Sequence, residues 1–537
     1  MSLTRMLKTS TLIVLMSLSL TQPTLAANPH KGCTSAKPKD FNCLPNGDID
    51  YVNTQKTYDH LSRAYADFAW NDFLALNFPA KEVAPGQYLP EPSDQYGLNY
   101  NQGSYRSVWQ TYIEDQDLFQ PELPEFGTPS QIPAICQQTH GKTTPKVASA
   151  YMQANRMGPV ADIDKNYVRF NVVFNRKMYD YVKARRLNTA AGQEAITQSL
   201  EWPSGRYADQ PELDDAGAIM IKASWKILTA KDTKEDFHHI KSYVYTKKDY
   251  PIPGVEESCA LETLGLIGLH IVHRSNSAPQ WVWSTFEHRD NAPWMSDIKR
   301  ADGRPENKRY HLFDSALCQG QIGSADCPFN RIPDHPWNPG TEPLKTGALD
   351  VKTWGSQIVR TAAPGKAALA ANHAARKALK RGLGKTVWEN YFLVNVQFPT
   401  LTIPHGNDPH EINPAYPIGL PSTTFLINSS MESFIQGFTT GDATTNGNKI
   451  PDSDLMLTTG GKGDKVDPWN VRGPHTRTGG ANRNTSSCVG CHADASMVNG
   501  IDSGFVFSVE SVLKHQDKHQ NKQQRSKYTS QGSKSKP

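Results

Sequence analysis

Between Gly217 and Glu287 the chain repeats the signature of a half-buried strand, and this stretch limits its fold more than any other. Ile219, Ile221, Ala223, Trp225 and Ile227 alternate with other residues, the period-two pattern of a strand with one face in a core. His239–Thr246, Leu264–His273 and Gln280–Glu287 follow as further strands. A run of strands joined by short connections predicts an antiparallel sheet or sandwich.

Helices are expected only at the periphery of that sheet. From Gln55 to Asn77 the apolar positions Tyr58, Leu61, Tyr65, Phe68, Phe73 and Leu76 suit an amphipathic helix, which Pro79 stops. VRFNVVF at 168–174 reads as a strand, followed by a helix around Lys177–Leu187 and a shorter one near Gln193–Leu200. Thr361–Gly382, interrupted by Pro364, reads as helix, ENYFLVNVQFP as strand and Ser429–Phe438 as a short helix. The 37 prolines and 38 glycines argue for long connections and against a helix bundle. The expected class is therefore α+β, rich in β structure, with peripheral helices and long loops.

The start of the chain suggests its compartment. Arg5 and Lys8 precede the apolar run TLIVLMSLSL, then Pro23 and a small-residue exit at Ala26-Ala27. This is the order of a secretory signal peptide over 1–27, and the run is about half of the ~20 residues a membrane span needs. No later segment reads as a span. An exported, periplasmic protein is expected, with an irregular lead-in from residue 28. Its eight cysteines then divide into one close pair and six others, read as three disulfides in an oxidising setting, with the pairing open. Cys33/Cys43 and Cys318/Cys327 are local couples, and Cys136 and Cys259 are left over. The net charge of +4 hides a division: seven Lys or Arg stand against Asp517 alone from Lys514 onward, and the body is net acidic. That body does not suit a nucleic-acid partner. The basic tail over 514–537 reads as a disordered, solvated segment, or as a landing strip for an acidic redox partner or anionic lipid.

Thr439–Thr485 is dominated by Gly, Asn, Asp and Thr, and beyond it stands Cys488-Val489-Gly490-Cys491-His492. C-x-x-C-H is the attachment signature of c-type haem: two thiols add to the porphyrin vinyl groups and the histidine becomes an axial iron ligand. Two other readings compete. His515 and His519 extend the region to a C-x-x-C…H-x-x-x-H zinc pattern, but the gap exceeds that of a finger. A redox C-x-x-C usually opens a helix after a strand, whereas this one follows a polar loop. With haem, the second axial ligand is open. Met497 is too close in sequence to reach the far face, which leaves Met431, His270, His273, His288, His373 and His475, or an empty position. Phe505, Phe507 and Val509 would pack on a porphyrin or complete the body's core. His288 beside Glu287 and Asp290 reads either as a proton-handling pair or as strand-end groups satisfying each other. No G-x-S-x-G, Walker loop or H-E-x-x-H is present.

Several stretches together resemble a family: DFAWNDFLALNFPA, IKASWKIL, LGLIGLHIVHRSNSAPQWVWSTFEHRDNAP, INSSMESFIQ, SSCVGCHADA and GFVFSV. Their order is similar to that of large exported bacterial single-haem proteins of the cytochrome c group, over most of residues 65–510. The resemblance implies one covalent haem at Cys488, Cys491 and His492 and names no substrate. The expected organisation is a signal peptide over 1–27, a β-rich body over 28–480, a haem segment over 481–513 packed on that body, and the tail. The expected function is one-electron transfer. A haem oxidase- or peroxidase-like enzyme with an open iron face, or a haem sensor of small ligands, are the alternatives.

Overall fold

The structure is a computed structural model and describes residues 58–84, 87–90, 105–140, 146–153, 159–204, 216–249, 256–275, 278–298, 308–314, 329–330, 357–360, 363–382, 386–401, 404–405, 408–412, 420–421, 426–435, 488, 492 and 495–512. The first helix, α1 (Tyr58–Asn77), leads into a hairpin of β1 (Ala80–Ala84) and β2 (Gln87–Pro90). Then come β3 (Ile113–Glu114), β4 (Lys146–Ala148), β5 (Arg169–Phe174) and α2 (Arg176–Arg185). The strands continue as β6 (Ile219–Ile227), β7 (His239–Thr246), β8 (Ser258–Ser275) and β9 (Ala278–His288). Helix α3 (Lys366–Gly382) and strand β10 (Tyr391–Gln397) complete the main body.

One eight-stranded sheet carries the fold, in the order β10-β9-β8-β6-β5-β3 with β7 and β4 branching from β8. The long β8 pairs β6 on one edge and, on the other, first β7 and then β9. All pairings in this sheet are antiparallel except β4 with β7. Ala150, just past β4, bridges back to Phe170 of β5, so the sheet curls round and meets itself. The chain is thus α+β and rich in β structure, but its sheet is mixed and curled where alternation alone predicts a simple antiparallel layer. The parallel pair joins distant segments, which period-two patterning does not encode.

Two helices cover one face. Tyr65, Phe68, Trp70 and Phe73 of α1 and Ala368, Ala371 and Leu379 of α3 bury against Ile219, Ile221, Leu269, Ile271 and Phe286 of the sheet. Each such large apolar side chain contributes about 1.5–3 kcal/mol on burial. Asn372 ties the layers together: its Oδ1 accepts from Trp70 Nε1 and from the Leu393 amide, and its Nδ2 donates to the Leu393 carbonyl. Among the described residues no helix is long and apolar enough to cross a membrane.

Some local expectations shift. The helix after α2 is Ala190–Glu194, because Thr189 accepts from the Gly192 amide and starts it early. At Ser429–Phe438 the described residues hold a single turn, Ser433–Ile435. The leftover cysteines pair: Cys136 and Cys259 form a disulfide across 123 positions, the partner that the even count of six leaves to each once the two local couples are set aside. Cys33, Cys43, Cys318 and Cys327 lie outside the described residues.

A buried ion cluster closes one end of β6. Lys226 Nζ is fully withdrawn from solvent and lies 2.7 Å from Asp232, 2.9 Å from Asp164 and 3.3 Å from Asp162. Arg309 adds a 2.7 Å contact to Asp164 from the rim. Burial pushes the Asp162 carboxyl up to about 6, against the pull of Lys226.

Candidate functional site

The second face of the sheet receives the end of the chain. A β-bulge decides which side chains point there. Ser224 pairs with Gly268 and Trp225 with Leu266, so Ile267 is an extra residue in β8. Before it Leu264 and Leu266 face the helices; after it Leu269 and Ile271 take that face. Gly268, His270 and Val272 therefore turn to the opposite side, the re-aiming a bulge produces. Without it the alternation would send His270 into the helix-covered core.

Across the strands two rows result. Met220, Val272 and Trp283 form one; Lys222, His270 and Thr285 form the next. Met220, Val272 and Trp283 join Leu426, Met497, Phe505, Val506 and Val509 in a second apolar cluster, and Cys488 packs against it. Polar anchors pin the C-terminal segment there. Buried Gln193 accepts from the Val498 amide and donates to the Val509 carbonyl. Trp202 Nε1 donates to the Ser503 carbonyl and the Leu200 amide to the Asp502 carbonyl. Gly504 has φ +64°, and a Cβ there would strike the Leu200 carbonyl, so the segment needs glycine at this crossing.

Cys488 and His492 both have helical backbone, and Cys491 lies outside the described residues. The Cys488 thiol faces the Leu426 carbonyl at 3.8 Å. The His492 imidazole sits 4.6 Å, centroid to centroid, from the Trp283 ring and 5.0 Å from Phe507. Its Nδ1 donates to the Phe505 carbonyl at 2.8 Å. A carbonyl only accepts, so the hydrogen of the neutral ring is on Nδ1 and the lone pair on Nε2. Burial pushes this imidazole down to about 4; the Phe505 carbonyl works against that, while the charges of Lys222 and His270 push further down and Glu432 opposes them. The ring is neutral at pH 7.

Beside it lies a polar group. Both Glu432 carboxylate oxygens accept from His270 Nε2 at 2.9 Å, and Oε1 accepts from Lys222 Nζ at 3.2 Å. Burial alone would raise Glu432, but His270 and Lys222 hold it down at about 2. The segment carrying it is clamped to the sheet: Asn428 Nδ2 donates to Thr285 Oγ1 and the Phe286 carbonyl. Gly268 permits that approach, since a Cβ there would lie 2.5 Å from Ser224 Oγ and 2.6 Å from Ser430 Oγ. Gly268→Ala is expected to cost about 1–3 kcal/mol through this overlap, read as a lower midpoint in urea unfolding.

The other histidines and Met431 separate clearly. His273 is buried with Nδ1 on Asp72 at 2.9 Å and Nε2 on the Ala216 carbonyl, so both nitrogens donate. His288 donates from Nε2 to the Asp236 carbonyl and accepts at Nδ1 from the Asp290 amide. Its neighbour Glu287 is taken up by Arg360, Ser429 and Asn291, so these groups satisfy each other. Met431 is buried in a separate cluster with Val160, Ile267 and Phe434. His373 is exposed on α3. His475, His515 and His519 lie outside the described residues. Trp283, Lys222 and Glu432 were not singled out by the sequence as site residues, although all three stand inside stretches that carry the family resemblance.

These residues fit a haem. The porphyrin supplies four iron ligands, so the protein must offer only one or two, and apolar walls. A neutral imidazole with its second nitrogen tied to a carbonyl is the usual state of such a ligand. Among the described residues no three His, Cys, Asp or Glu side chains gather to hold a metal ion unaided. Compared with protein-family models, curated proteins and solved structures, the chain matches none of them, so the reading of the site rests on its own residues.

Proposed function

We propose that this chain is an exported, periplasmic c-type cytochrome, related to the single-haem group its sequence resembles, that transfers single electrons. Cys488 and Cys491 would hold one haem through thioethers, and His492 would ligate its iron. The observation that carries this is the His492–Phe505 hydrogen bond, which leaves Nε2 with a free lone pair in a C-x-x-C-H motif. The haem, when bound, supplies a ferric–ferrous couple.

The chain's own residues do the rest. The Phe505 carbonyl fixes the orientation of the His492 ring. Because the ring is already neutral at pH 7, no proton has to leave it on ligation. Trp283, Phe505 and Phe507 keep water from the ring. The basic tail would steer an acidic redox partner protein.

The test is production of the full chain in a host with haem-attachment machinery. A Soret band is expected, with haem that stays on the polypeptide in acidified organic solvent. The Cys488→Ala, Cys491→Ala double variant should lose all covalent haem. Colour that extracts completely from the wild-type protein, or no colour at all, overturns the proposal.

A further inference from the structure

We infer that His270 of β8 would be the second protein ligand of the haem iron, alongside His492 of the C-terminal motif; this rests on the haem reading above. Three observations carry it.

The first is placement. The bulge at Ile267 turns His270 onto the face where His492 lies. Val272 pairs with Trp283, and His270 with Thr285, which makes His270 and Trp283 diagonal neighbours on adjacent strands, about 7–8 Å apart from Cα to Cα. Trp283 in turn packs on the His492 ring. His270 is thus one diagonal step from the residue that touches the motif histidine.

The second is the hydrogen-bond state of the ring. Among the described residues Nε2 of His270 faces the two Glu432 oxygens. A carboxylate accepts, so Nε2 carries hydrogen, and in the neutral ring that a metal requires the lone pair is the one on Nδ1. Ligating histidines characteristically donate their other ring N–H to a carboxylate or a backbone carbonyl. His270 does the first and His492 the second. Lys222 and the Asn428 amide hold Glu432 in place, so the supporting shell is built and rigid.

The third is elimination among the candidates that lie within the described residues. Both nitrogens of His273 donate, and both nitrogens of His288 have partners. Met431 is enclosed in another cluster. His373 is on a helix that covers the opposite face.

The test uses the full chain with attached haem, and covalent haem content is measured separately from the ligand set. Electron paramagnetic resonance and near-infrared magnetic circular dichroism of the ferric protein should report a low-spin bis-imidazole iron. His270→Ala should keep its covalent haem and become high-spin, with added imidazole restoring the low-spin signal. His270→Met should remain attached and give the signature of a His/Met iron, which covers the case of an unstable alanine variant. Glu432→Gln should stay low-spin and shift the reduction potential upward, because a neutral amide donates less charge through the ring than a carboxylate. His373→Ala should change none of these signals. Haem that is attached while His270→Ala and His270→Met retain the wild-type spectrum overturns this inference and leaves the haem reading standing. So does a loss of the low-spin signal in Lys222→Ala that the His270 variants do not share. A chain without covalent haem overturns both.

Discussion

Exchanging Lys226 for methionine is expected to lower the unfolding free energy by about 3–5 kcal/mol at pH 7, the range for breaking a buried ion pair from one side. The apolar stem is nearly preserved, so the loss isolates the charge. Asp162, Asp164 and Asp232 would be left together around an empty centre, with Asp162 and Asp232 almost wholly withdrawn from water. Arg309 reaches Asp164 and, more distantly, Asp232, but it does so from the rim. The penalty should shrink on acidification, because protonation relieves the repulsion between carboxylates that have lost their cation. Urea unfolding of both proteins at pH 7 and pH 5 decides the matter. A loss below about 1 kcal/mol, or one that does not change between the two pH values, would mean that the cluster relaxes or admits water.

The second large effect is carried by His288. Burial, only partly offset by Asp290, pushes its imidazole down to about 4 from an ordinary 6.5. In the window between these values the unfolded chain binds the proton and the folded one does not. The group's contribution is therefore intact above about pH 6.5 and is lost as pH falls toward 4. A shift of that size corresponds to about 3 kcal/mol. The His288→Gln variant can keep the bonds to Asp236 and Asp290 without a titrating group. It should recover about 3 kcal/mol relative to the wild type between pH 7 and pH 4. A comparison of the variant with the wild type is needed because other groups titrate in the same range. His311 and His492 act in the same direction as His288, whereas Asp162, raised to about 6, favours the folded state as pH falls through that value. Parallel pH profiles for the variant and the wild type would refute the assignment.

How legible the molecule was depends on the range of the interactions concerned. Helix α1 ends where Pro79 demanded, and β5, β6, β7 and β9 lie within a few residues of their expected bounds. Those features are written in the spacing of neighbouring side chains, because a buried face repeats every two or three to four residues. The strand at Leu264–His273 was readable as a strand but not as a bulged one, and the extra residue at Ile267 is what sends His270 to the face of the site. No local pattern distinguishes the two registers, since leucine and isoleucine surround the bulge on both sides. The disulfide between Cys136 and Cys259 was legible only through the cysteine count, by elimination, and not through any local spacing, as its partners are far apart in the chain.

The same division runs through the site. Neighbouring residues alone specify the chemistry on offer: two thiols and an imidazole at a spacing that suits a porphyrin, and a β-rich body before them. Which other groups meet that imidazole is a matter of the folded chain. Glu432 and His270 come together across 162 positions, on a sheet face chosen by a single inserted residue, while His273 and His288 are occupied by partners elsewhere. Local spacing specifies periodicity and covalent reach. The choice of partners belongs to the close packing of distant segments, which no short stretch of sequence contains.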